Sequence, residues 1–280
     1  MIQKHEFDSL FCQNQEGVSM KKRLRRFLAG LILGLLFSVL FAFAAHAEEK
    51  NSGKWHFQLA PYAWLAGQEG TVATLPGLPP ADIDVNFWDD ILGNINLAGM
   101  LVAEARRGRY GLFADIVYND IETKDPTPYG VLYSAVDSQT KSWMVSVAGL
   151  YRLVERQNRF LDVIGGFRYW SVDSELTLKA GALPQRSVSN KEDWFDPLIG
   201  LKGLTPIGAS KFFVSGALVI GGFGMGSDFM WDASVNLGYQ WTEGFATTIG
   251  YRYLDVDYEN TDFLYDVAQD GLTLGLSWRF

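Results

Sequence analysis

Charge recurs on one face of the alternating stretches of this chain. Glu104, Asp115, Asp162, Asp196 and Asp232 fall there, with Arg106, Arg152, Arg168, Lys202, Arg252 and Arg279. Both signs gathered in a confined space admit two chemistries. The charges pair, because an unpaired charge taken out of water is costly. Or they ring a narrow pore and set which ions pass. Acid–base catalysis has less to draw on. Histidine is the usual general base near neutral pH, and of three histidines only His56 lies beyond an N-terminal export segment. The single cysteine, Cys12, falls before it.

Two other groups invite a chemical reading. Acids gather at Asp255, Asp257, Glu259, Asp262 and Asp266, and again at Asp82, Asp84, Asp89 and Asp90. Oxygen ligands suit Ca²⁺ or Mg²⁺, but the spacing matches no defined cation loop, so a solvated acidic surface is the simpler reading. GGFGMG at 221–226 lacks the Lys-Ser/Thr and the following helix of a phosphate-binding loop. Its glycines suit a tight turn or curvature of a strand wall. The sequence therefore calls for no cofactor and no metal, and the chain is not expected to be an enzyme.

The elements that position these charges read as strands. The chain is 48% hydrophobic and 14% aromatic, with 29 Gly, a mix that favours strands and tight turns. Period-two alternation marks about ten of them, near 54–66, 94–106, 109–122, 138–154, 160–174, 194–205, 211–223, 228–242, 245–258 and 267–280. In 229–241, Phe229, Trp231, Ala233, Val235, Leu237, Tyr239 and Trp241 share one face. Met230, Asp232, Ser234, Asn236, Gly238 and Gln240 share the other. The stretch 212–223 alternates poorly.

Such alternation suits a soluble sandwich or a transmembrane barrel. Three features favour the barrel. Aromatics sit at strand ends, where interfacial girdles need them. The strands are long enough to cross a bilayer at a tilt. Short links at 106–109, 155–158, 205–210 and 242–244 alternate with longer polar ones at 67–93, 123–137, 175–193 and 259–266, apart from a short link at 224–227. The expected fold is all-β: an antiparallel up-and-down transmembrane β-barrel of about ten strands, eight to twelve being compatible. Within the first long link, Asn86 reads as the N-cap of a helical turn at 88–92, with Asp89 at the capping-box position. A packed extracellular cap suits this link better than a plug in the lumen.

The N-terminus reads as an export signal. KKRLRR at 21–26 precedes an apolar run at 27–45 and AHA at 45–47, so cleavage is expected after Ala47. Residues 1–19 read as an upstream leader, 20–47 as the signal peptide and 48–280 as the barrel. Removing 1–47 takes six of 24 bases and three of 32 acids, leaving 18 and 29, near −11. That balance argues against nucleic acid as a partner.

The chain ends in GLTLGLSWRF, with Leu272, Leu274, Leu276, Trp278 and Phe280 at alternate positions. With the signal peptide, and with the stretches 54–72, 104–118 and 251–258, this ending resembles small proteobacterial outer-membrane β-barrel proteins. The resemblance covers 54–280. It implies residence in the outer membrane of a Gram-negative bacterium, contact with lipid and lipopolysaccharide, and a terminal signature read by the barrel-assembly machinery. A monomer is expected. The resulting expectation is an integral barrel with a structural or narrow-channel role and a charged, largely self-filled lumen. A ligand-binding or adhesion barrel acting through acidic loops is the alternative, and a lipid- or peptide-directed hydrolase comes third.

Overall fold

The structure is a computed structural model that describes residues 53–126, 132–156 and 159–280. The leader and signal-peptide assignments over 1–47 lie outside the described residues. Eleven strands follow in order: β1 (Trp55–Ala73), β2 (Ala81–Val85), β3 (Ile95–Arg107), β4 (Tyr110–Pro126), β5 (Tyr133–Arg156) and β6 (Arg159–Ala180). Then come β7 (Arg186–Pro206), β8 (Phe212–Gly221), β9 (Phe229–Gln240), β10 (Phe245–Asn260) and β11 (Phe263–Arg279). β1 pairs antiparallel with β3, each strand from β3 to β10 with the next in sequence, and β11 with β1 to close a ring. Closure removes the free edges that a bilayer does not tolerate. Ten strands form the wall. The five-residue β2 pairs only with the upper part of β1.

The expected strands are the wall strands, but their ends on the long-loop side extend further. β5 has 24 residues and β6 has 22. At about 3.3 Å per residue they outrun a hydrocarbon layer of roughly 30 Å even when tilted. The links expected at 123–137, 175–193 and 259–266 are largely paired strand, the last of them reduced to a turn at 261–262. Cross-strand hydrogen bonding continues there although the outward residues have become polar. The poorly alternating 212–223 pairs with both neighbours over Phe212–Gly221.

The outward face carries the apolar belt. Leu272, Leu274, Leu276 and Trp278 point out with exposures of 44%, 47%, 43% and 41%, and Phe280 is exposed at the rim. Aromatic pairs bound the belt. Tyr118 lies 4.5 Å from Trp143 and Tyr169 5.0 Å from Phe195 on one side. Tyr110–Tyr151 at 5.4 Å and Phe245–Trp278 at 5.2 Å lie on the other. A solvent-exposed apolar band of this extent belongs in lipid. We call the end with short turns and the N-terminus of β1 the periplasmic end.

Closure depends on a glycine. Gly271 faces inward on β11 opposite Ala66 of β1. A Cβ at Gly271 would overlap the Leu65 carbonyl group, so the closing strands approach more closely than any other residue allows.

The first loop is a hairpin partner and a turn, not a plug. Phe87–Ile91 forms one π-helical turn. Asn86 caps it, its side chain accepting from the Trp88 backbone N–H at 2.9 Å. The reciprocal bond comes from Asp90, not Asp89: Asp90 Oδ2 accepts from the Asn86 N–H at 2.8 Å. The wider π turn, in which the Ile91 N–H reaches the Asn86 carbonyl at 3.2 Å, moves the reciprocal carboxylate one residue along. The residues around Asn86–Trp88 include Leu65, Tyr251 and Leu272 of the lipid-facing wall. The turn therefore lies against the outside of the barrel.

Candidate functional site

Alternation sends every second side chain of each strand inward, and antiparallel register aligns those positions across the wall. Asp115, Ser146 and Arg168 are thereby cross-strand partners on β4, β5 and β6. Arg252 and Ser234 are partners on β10 and β9. The eleven charges sort by their partners into three groups.

The lowest group faces the periplasmic end. Asp162, fully buried, binds Arg106 Nη2 at 2.5 Å and Arg152 Nε at 2.8 Å. Glu104 accepts from Arg106 Nε at 2.9 Å and also pairs with Lys202. The Arg152 guanidinium lies 4.3 Å from the Phe160 ring centroid, and the Lys202 ammonium 5.1 Å from that of Phe113. Arg279 stands apart near the mouth, donating to Gln58 Oε1 at 3.2 Å.

The middle group is a four-charge layer. Asp232 accepts from Arg168 Nη2 at 2.7 Å and from Arg252 Nη2 at 2.7 Å. Arg252 also reaches Asp115 at 3.0 Å and donates to the Tyr62 hydroxyl at 2.7 Å. The Tyr62 hydroxyl in turn donates to Asp115 at 2.7 Å. Arg168 donates to Ser146 Oγ at 2.9 Å. All four charged residues are buried. Two cations and two carboxylates balance, which a low-dielectric interior requires. The layer draws on β1, β4, β5, β6, β9 and β10, so it ties opposite sides of the wall together.

Asp196 forms the third group and, among the described residues, has no cation within ion-pair distance. Its carboxylate accepts from the Trp170 indole N–H at 2.8 Å, the Ser227 N–H at 2.6 Å and the Ser227 hydroxyl at 2.8 Å. These bonds anchor the turn between β8 and β9. The GGFGMG segment lies in that turn. Gly226 packs where a Cβ would meet the Asp196 carboxylate at 2.6 Å, so the glycine serves this close approach.

Above the middle layer the lumen is apolar. Trp170 stacks on Trp194 at 5.6 Å, and Trp194 on Tyr258 at 4.0 Å with 9° between planes. Phe263 and Tyr265 pack against Trp194 at 6.2 and 6.1 Å. Met230, Val256 and Val267 join the same core, and Met230 and Val267 have 0% exposure. Alternation placed charges inward but gave no hint of this aromatic seal. Outward girdle aromatics and inward core aromatics look alike in sequence. Strand parity could have separated them, since Tyr258 lies an even number of residues from inward Arg252.

His56 lies near the start of β1 opposite Arg106 and lines the periplasmic vestibule. The acids of 255–266 lie at the upper ends of β10 and β11 and in the turn between them. Among the described residues, no three histidine, cysteine or acidic side chains come together in a metal-holding group.

No protein-family model matches the chain, and no curated protein sequence matches it either. Solved structures do. The outer-membrane protease OmpT from Escherichia coli aligns over 85% of this chain and all of its own, with a TM-score of 0.54 at 11% identity. The translocator domain of the autotransporter NalP from Neisseria meningitidis aligns over 90% and 96%, with a TM-score of 0.38 at 13% identity. Ail, the attachment invasion locus protein of Yersinia pestis, aligns over 81% and 98%, with a TM-score of 0.34 at 11% identity. The OmpT likeness and the outward apolar belt agree: the fold is that of a bacterial outer-membrane β-barrel. Identity at this level carries the fold and not the chemistry.

Proposed function

We propose that this chain is a structural, non-conducting barrel of the Gram-negative outer membrane, its lumen sealed by its own side chains. The observation that carries the reading is the double closure. The Arg168–Asp232–Arg252–Asp115 layer spans mid-height, and the Trp170–Trp194–Tyr258 stack fills the lumen above it. The charges then act as internal ties and not as a selectivity ring. Leu272, Leu274, Leu276, Trp278 and Phe280 serve lipid contact and recognition by the barrel-assembly machinery. Lipid and lipopolysaccharide are the standing partners, nucleic acid is not one, and the barrel works as a monomer. Hydrolysis is not part of this reading, because His56 sits at the periplasmic mouth, far along the barrel from the acids at the outer rim.

Thiol accessibility tests the reading. No cysteine follows residue 47, so Ser215→Cys introduces a single probe into the cavity below the middle layer. In proteoliposomes of known orientation, a small charged methanethiosulfonate reagent should label it from the periplasmic face only. Equal labelling from both faces would refute the seal.

A further inference from the structure

Below the middle layer the lumen is open. A vestibule of about 890 Å³ leads inward from the periplasmic end. It continues into a cavity of about 230 Å³, and Gln58, Phe160, Leu204, Phe213 and Arg279 line both. Arg168, Asp232 and Arg252 line the far end of that cavity. The space is a cup with one mouth.

Its walls are unequal. Phe160, Leu204 and Phe213 give it an apolar side. The other charged groups at the mouth are not balanced. Among the described residues, Arg159, Lys211 and Arg279 have no carboxylate within ion-pair distance and Glu243 has no cation, whereas Glu155 pairs with Arg152 and Glu104 is taken up by Arg106 and Lys202. Arg106, 8% exposed, binds Glu104 and Asp162, and among the described residues its Nη1 has no acceptor and is closed off from the cup. A buried guanidinium nitrogen without an acceptor is costly. The unpaired side chains at the mouth are thus Arg159, Lys211 and Arg279 against Glu243, a cationic excess in a chain with 32 acids against 24 bases.

We infer that the periplasmic cup binds an organic anion, a carboxylate on an apolar body, with Arg279 as its principal charge contact and Lys211 as a second. The guanidinium fork suits an oxyanion. The Phe160–Leu204–Phe213 wall takes the apolar part. A ligand entering from the periplasm need not cross the seal, so this site stands whether or not the barrel conducts.

The test uses the mature chain in lipid nanodiscs with 4-fluorobenzoate as probe, read by ¹⁹F NMR against empty discs. Saturable binding is expected, weakened about tenfold by Arg279→Gln, as the loss of one charge-assisted contact implies. The neutral 4-fluorobenzamide should not bind saturably. Inorganic phosphate should compete more weakly than unlabelled benzoate. Lys211→Gln, on the turn between β7 and β8, should also weaken binding, and it carries the test if Arg279→Gln fails to assemble. Absence of saturable binding, or binding unchanged by both variants, would overturn the site. Phosphate competing as well as benzoate would overturn the role of the apolar wall.

Discussion

Asp232→Ala should destabilise the folded barrel by about 3–5 kcal/mol, the cost of leaving a buried charge without its partner. Asp232 sits at 6% exposure and is the common acceptor for Arg168 and Arg252. Its removal does not affect the two arginines equally. Arg252 keeps Asp115 and the Tyr62 hydroxyl. Among the described residues Arg168 keeps neutral partners alone: Ser146 Oγ and the Met230 sulfur at 2.9 and 3.4 Å, and the Trp170 ring at 5.6 Å. Most of the penalty should therefore fall on Arg168. Adding Arg168→Met to Asp232→Ala should recover a substantial part of the loss, giving a large coupling between two residues in direct contact. Denaturant unfolding of the refolded barrel in lipid vesicles reads both effects, through the midpoint at unchanged slope. If Asp232→Ala unfolds at the same midpoint as the parent, the layer is not an internal tie.

Gly271→Val should prevent closure altogether. The added Cβ would overlap the Leu65 carbonyl and approach the Ala66 Cα at 2.8 Å, and both belong to the backbone of the partner strand. Neither can swing aside as a side chain would. The β1–β11 register runs from Gln58↔Arg279 to Ala73↔Leu264, so the clash falls near its middle. An open barrel leaves unpaired N–H and C=O groups facing hydrocarbon, each costing several kcal/mol. Folded barrels of this kind migrate differently on SDS gels before and after heating. The variant should show only the unfolded band. Gly275→Ala on the same strand is the control: a Cβ there meets only the Thr248 hydroxyl and the Tyr62 Cβ, at 2.6 and 3.6 Å, and the hydroxyl can rotate away.

The wall was largely legible in the sequence because period two is its construction rule. Val235 outward and Asp232 inward follow from their positions alone, and the closing strand was readable as an alternating apolar run. The hairpin extensions of β5, β6 and β7 were not, because hydrophobic alternation fades where both faces meet water while backbone pairing persists. The partners of each charge were not legible either. Arg252 meets Asp115 across 137 residues, a distance set by barrel diameter and strand stagger and not by local pattern. The Asp196–Ser227 anchor was hidden for a related reason: it joins one strand to the turn between two others, 31 residues away.

Planar-bilayer recording of the refolded chain tests the central claim most directly. The sealed lumen predicts a flat current trace at both polarities, for the parent chain and for Arg152→Gln alike. Discrete conductance steps, with an ion preference that changes when Arg152 or Asp232 is neutralised, would contradict the seal and make the charged lumen a pore.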